Sequence, residues 1–202
     1  MNMTHGLIFT LQVIFSDEKK WNLDGPDGQR SYWHDLRKEP LVFSKRNFGG
    51  GSVMVWAAFN GYGKVGLAFV SSKMNSTDYQ EVVGWALDHF LPQIGGRPIE
   101  FQQDNARIHV SRSTRAWFAG RRVPLLEWPS RSPDLNPMEN LWAIMARRVY
   151  ANNKQYGTVE ELQEGIWRAF LSVEQEVIDN LVRSMPTRMF QLINRNGGLT
   201  DY

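Results

Sequence analysis

Three acidic residues, Asp17, Asp104 and Glu139, stand where a fold could bring their oxygens together. Asp17 follows the apolar run Val13-Ile14-Phe15, Asp104 ends the alternating run 99–104, and Glu139 is the third residue of a helix opening after Asn136. Clustered carboxylates repel one another unless a hard cation sits among them, and Mg²⁺ prefers such oxygen ligands. A pair of such ions can activate a water or hydroxyl and stabilise the leaving oxygen of a phosphodiester. Each residue also has a plainer reading. Asp17 and Asp104 suit turns at strand ends, and Glu139 completes a capping box in which it bonds back to the Asn136 amide, with Pro137 at the first helical position. The joint placement points further: two strand ends and one helix start can converge on one edge of a sheet.

Other chemistries find little support. The 202 residues contain no cysteine, which removes disulfides and thiolate zinc sites and suits a reducing compartment. The glycines at 49–51 are not followed by the Gly-Lys-Ser/Thr of a nucleotide loop. The apolar run 6–15 has no basic flank and no cleavage site and is too short to span a bilayer, so it reads as a lead-in to the first buried strand. Net charge is only +2, but it is unevenly spread: residues 97–150 carry nine arginines and no lysine against five acidic residues. Arginine is the side chain best suited to bidentate phosphate contact.

The elements that must hold these residues form a β-rich start, an alternating middle and a helical end. Residues 52–59 and 65–71 read as a hairpin joined through Asn60-Gly61 and Gly63. A helix follows with Thr77 and Gln80 as its capping pair, then a strand over 99–104, a helix over 111–119 and a strand over 123–128. A proline-rich loop leads to a helix over 138–150. Two or three more helices follow, with Thr158/Glu161 and Ser172/Gln175 as capping pairs and Gly197-Gly198 as a stop. Residues 22–50 are rich in turns. This order makes one mixed α/β domain.

Four strings carry a resemblance to a known family: VIFSDEKKWNLDGPDG at 13–28, GGGSVMVWAAF at 49–59, FQQDNARIHVS at 101–111 and WPSRSPDLNPMENLW at 128–142. They resemble the catalytic (DDE) domain of the mariner superfamily of DNA transposases, in its nematode-type branch. The thirty-four residues between Asp104 and Glu139 match the spacing of members whose third carboxylate is glutamate. The resemblance implies a ribonuclease H-like fold, a five-stranded mixed sheet flanked by helices with a helical C-terminal tail. It implies Asp17, Asp104 and Glu139 as catalytic, metal-binding carboxylates for Mg²⁺ or Mn²⁺, with two ions. The reaction implied is DNA strand cleavage at transposon ends and strand transfer into a TA target. A homodimer on DNA, with the stretch around 22–46 as a clamp, and action in the nucleus follow from the same resemblance. Residues 13–202 match the catalytic domain, residues 1–12 form a non-matching lead-in, and the family's N-terminal helix-turn-helix region has no counterpart here.

Arg107, His109 and Arg131 are the candidate DNA contacts. The first two follow Asp104 closely, and the third lies in the loop leading to Glu139. His109 has the alternative of packing a turn, and Arg112, Arg115, Arg121 and Arg122 that of a solvated helix face. Trp128 and Trp142 suit core packing better than base stacking. Two competing functions stand beside the transposase: a catalytically inactive DNA-binding or dimerisation domain, and a ribonuclease H-like enzyme acting on RNA–DNA hybrids.

Overall fold

A computed structural model describes residues 11–26, 51–129, 132–195, 198 and 200–202. Four strands form one sheet in the order β3-β2-β1-β4: β1 Val13–Asn22, β2 Ser52–Asn60, β3 Gly63–Val70 and β4 Glu100–Gln102. The first three are antiparallel neighbours, and β4 lies parallel to β1. Asp17 is mid-strand rather than at a strand end. β1 runs on to Asn22 because its second half pairs with β2 as far as Asn22↔Ser52.

The fifth strand expected over 123–128 contributes a single parallel bridge between Phe101 and Leu125. The Phe101 amide donates to the Pro124 carbonyl (2.8 Å) and the Leu126 amide to the Phe101 carbonyl (2.8 Å), but Pro124 has no N–H to add the preceding rung. A ladder cannot extend through proline.

Alternation along the strands divides the core into two layers. Val13, Phe15 and Trp21 of β1, with Val53, Val55, Ala57 and Phe59 of β2, face α3 Pro137–Val149, α4 Val159–Leu171 and α5 Gln175–Asn194. Ile14, Trp56 and Ala58 face α1 Ser76–Phe90 and α2 Arg112–Gly120. Asp17 shares the parity of the first set and Glu18 that of the second, so neighbouring acidic residues serve opposite layers.

Local capping differs from expectation where a nearer side chain wins. In α1 Asn75 and Asp78 form the capping box, not Thr77 and Gln80. Asn75 Oδ1 accepts from the amides of Thr77 (2.7 Å) and Asp78 (3.1 Å), and Asp78 Oδ2 accepts from the Asn75 amide (3.0 Å). Thr158 caps α4 as expected, through the Glu161 amide (3.2 Å). For α5 the capping residue is Glu174, without a side-chain bond, whereas the Ser172 hydroxyl donates to the Ala169 carbonyl (2.8 Å). Gly197 lies outside the described residues, and α5 ends at Asn194.

Arg188 of α5 is 1% exposed, and it ties the C-terminal helix to the start of α3. Its guanidinium donates to the Asp134 carbonyl (2.8 Å), Asn140 Oδ1 (2.7 Å) and Ser184 Oγ (3.0 Å), and it lies 4.3 Å from the Tyr202 ring. A buried charge is tolerated only with such pairing.

Candidate active site

Asp17, Asp104 and Glu139 line one cavity of about 500 Å³, with Asn105, Trp128 and Asn136 on its walls. A second cavity of about 540 Å³ lies around Arg148, Tyr156 and Arg168. Its charged groups are engaged locally, Arg168 with Glu164 and Arg148 with Ser172. The carboxylate-lined cavity is therefore the better seat for chemistry.

Asp17 is half-buried, and its Oδ2 accepts from the indole N–H of Trp142 (2.9 Å), a buried residue one turn beyond Glu139 on α3. Burial pushes the Asp17 carboxyl up to about 7; the Trp142 bond opposes this, and the charges of Glu139 and Glu18 add to it. Glu139 is exposed and takes no part in the helix cap. The Asn136 amide donates instead to the Pro133 carbonyl (2.9 Å), because a single 3-10 turn over Pro133–Leu135 precedes the helix. The Asn136 side chain does two jobs. Its Oδ1 accepts from the Met138 amide (3.1 Å), and its Nδ2 donates to the Ser16 carbonyl (3.1 Å), pinning the start of α3 beside Asp17.

Asp104 follows β4, and its Oδ1 accepts from the Ala106 amide (2.9 Å) and from His109 Nδ1 (2.5 Å). The His109 bond, and then the Ala106 bond, hold the Asp104 carboxyl below the usual range against partial burial. An ionised Asp104 requires the proton to reside on Nδ1. The other ring nitrogen, Nε2, lies 3.2 Å from Glu18 Oε1, close enough for an ion pair but without the alignment of a hydrogen bond. Burial opposes charge on His109, yet its bond to Asp104 and the Glu18 carboxylate beside it prevail and lift it to about 9.

The other candidates separate clearly. His109 is 3% exposed and sits against Tyr79 (ring centroids 4.2 Å apart), so its ring is packed in a turn beneath Asp104. Arg107 is exposed, and Arg131 lies outside the described residues. Arg121 pairs with Asp88 (2.6 Å) and lies over Trp117 (4.7 Å), while Arg112, Arg115 and Arg122 are exposed. Sequence reasoning missed Glu18 and the N–H of Trp142. The available signals were strand parity for the first and the i, i+3 spacing from Glu139 for the second.

Oxygen donors alone line the acidic side of the cavity. The charge of Glu139 opposes ionisation of Asp17, an opposition that a divalent cation relieves, so the donor set fits Mg²⁺. Among the described residues no three His, Cys, Asp or Glu side chains are gathered closely enough to hold a metal ion as they stand. An ion here would keep several waters, as Mg²⁺ does.

Comparison with known proteins agrees with this reading of the fold. Residues 12–163 match the family model described as DDE superfamily endonuclease. The chain is 56% identical over 191 residues to the Tc3 transposable-element transposase of Caenorhabditis elegans, covering 95% of this chain and 58% of that protein. It is 37% identical over 197 residues to the Tc1 transposase of the same organism, covering 94% of this chain and 70% of that one. It thus spans little more than half the length of the first of these relatives. Among solved structures it resembles a Mos1 transposase paired-end complex with the left transposon end (TM-score 0.83, 19% identity, 98% of this chain and 59% of that chain). A Mos1 mariner paired-end complex with Mg is similarly close (TM-score 0.81, 21% identity, 96% and 58%). The fold is accordingly ribonuclease H-like, its fifth strand reduced here to one bridge. The chain belongs to the DDE endonuclease superfamily and, within it, to the mariner superfamily of DNA transposases in its nematode-type branch.

Proposed function

We propose that this chain is the catalytic domain for cut-and-paste transposition, cleaving DNA strands at transposon ends and joining the freed 3′-hydroxyl to a TA target. The observation that carries the reading is the single cavity shared by Asp17, Asp104 and Glu139, from a strand, the segment just after another and a helix start. Those three carboxylates would hold two Mg²⁺ or Mn²⁺ ions, in keeping with the Mg-containing Mos1 complex. When bound, such ions supply an activated water or hydroxyl and stabilise a leaving phosphodiester oxygen.

The rest falls to the chain's own residues. Asp104 is held ionised by His109 and Ala106, ready as a ligand. Asp17 is oriented by Trp142, and Glu139 is set beside it by the Asn136 tether. Exposed Arg107, three residues after Asp104 in sequence, and Arg131, eight residues before Glu139, would meet backbone phosphate. DNA as partner accords with the Mos1 complex on its transposon end. A homodimer and action in the nucleus follow from the family, and no helix among the described residues is long and apolar enough to cross a membrane.

The test is nicking of plasmid DNA by the purified chain with Mn²⁺. Asp104→Asn should abolish nicking while leaving the thermal unfolding profile cooperative. Nicking by that variant at the wild-type rate overturns the assignment, as does preference for RNA–DNA hybrid over duplex DNA.

A further inference from the structure

Between Glu18 of β1 and Asp104, just after β4, lies a link that the carboxylate triad does not include. His109 is 3% exposed, its Nδ1 is 2.5 Å from Asp104 Oδ1 and its Nε2 is 3.2 Å from Glu18 Oε1. Its ring is braced by Tyr79 (centroids 4.2 Å apart), which is fully buried, and Tyr79 donates its hydroxyl to Gln103 Oε1 (2.8 Å). Gln103 in turn donates from Nε2 to the His109 carbonyl (3.0 Å), closing a ring of contacts around the imidazole. Few buried side chains here are fixed from so many directions.

The consequence falls on Asp104. Its Oδ1 is occupied twice, by the Ala106 amide and by His109, which restrains the carboxylate and leaves Oδ2 as the oxygen open to a ligand. Glu18 adjoins Asp17 on β1 and reaches the opposite layer by strand alternation. One strand therefore carries one acid of the site and the anchor for a second. We propose that His109 is a positioning residue: held from behind by Glu18, it locks Asp104 so that only Oδ2 faces the ion. This rests on the metal-site reading above. Outer-shell partners of this kind typically change metal affinity 10–100-fold when removed.

Two conservative variants separate the ring's two contacts. The amide nitrogen of asparagine superposes on Nδ1 of histidine, and that of glutamine on Nε2. In equilibrium Mn²⁺ binding to the purified 202-residue chain, followed by electron paramagnetic resonance, His109→Asn should stay within roughly threefold of wild type. His109→Gln should bind roughly 10–100-fold more weakly. Glu18→Gln should give a smaller loss, with a broadened bound-Mn²⁺ spectrum reporting a looser ligand. A role confined to core packing predicts equal losses in the Asn and Gln variants, tracking melting temperature, and that result overturns the proposal. So does unchanged Mn²⁺ affinity in His109→Gln. If the wild-type chain itself binds no Mn²⁺ at this site, as judged against Asp104→Asn, the failure belongs to the metal-site reading instead.

Discussion

Replacing Asp17 with asparagine should stabilise the metal-free protein while disabling it. The Asp17 carboxyl ionises at about 7 in the fold against an ordinary 3.8, burial being the first cause and the charge of Glu139 a further one. Each unit of such a difference corresponds to about 1.36 kcal/mol, so ionisation at pH 8 costs about 4 kcal/mol for a sealed group. Asp17 is only half-buried, and solvent screening reduces this to roughly 2 kcal/mol. The folded value lies above the unfolded one, so the folded state holds the proton more tightly. The wild type therefore loses this stability as pH rises from about 4 to about 7, with no further loss above. Asparagine keeps an acceptor for the Trp142 N–H and carries no charge. Asp17→Asn should therefore melt about 4–8 °C above wild type at pH 8 in EDTA, and within about 2 °C of it at pH 4.5. The other groups titrate nearly alike in the two proteins, so the difference between the curves isolates Asp17. Saturating Mg²⁺ at 100 times its dissociation constant should add about 2.7 kcal/mol to the wild type at pH 8 and nothing comparable to the variant. A variant no more stable than wild type at pH 8 in EDTA would refute the electrostatic account of this site.

Two further substitutions probe how the site is held. Asn136→Ala removes both the cap on Met138 and the bond to the Ser16 carbonyl; it should cost about 2 kcal/mol in urea denaturation with an unchanged slope, and an effect under about 0.5 kcal/mol contradicts the tether. Arg188→Met keeps the volume but strands the Asp134 carbonyl and Asn140 Oδ1; it should lower stability by about 3 kcal/mol, measured the same way, and a neutral result shows that water replaces the guanidinium there.

What was legible in the sequence and what was not divides along physical lines. The hairpin at 52–70 and the α3 helix could be read because period-2 apolar alternation and an Asn-Pro start are local signals. The fifth strand could not, because Val123 to Trp128 has strand-forming residues but Pro124 denies it a ladder. The sequence pattern puts the α1 cap two residues late because Asn75 and Thr77 both suit a cap, and only the backbone path decides between them. Asp17 reads as a strand end because the apolar run Val13-Ile14-Phe15 gives way to Ser16 and Asp17, yet pairing with β2 carries the strand past them.

For the site, the three carboxylates could be chosen from their positions, but their individual chemistry could not. The same residue type is pushed up at 17 and held down at 104 because burial, with the charge of Glu139, acts on one while the other accepts two N–H groups. That asymmetry comes from contacts between residues 125 apart, Asp17 with Trp142, and from the turn that folds His109 back beneath Asp104. The alternative considered for His109, packing in a turn, describes its burial but not its effect. A histidine with both ring nitrogens against carboxylates is packed and electrostatically engaged at once, and the second property follows from the parity of Glu18 on β1. Parity is written in the sequence and its partner is not. The layer to which a strand residue points can be deduced before the fold is known, whereas what waits there depends on the chain's return from more than eighty residues away.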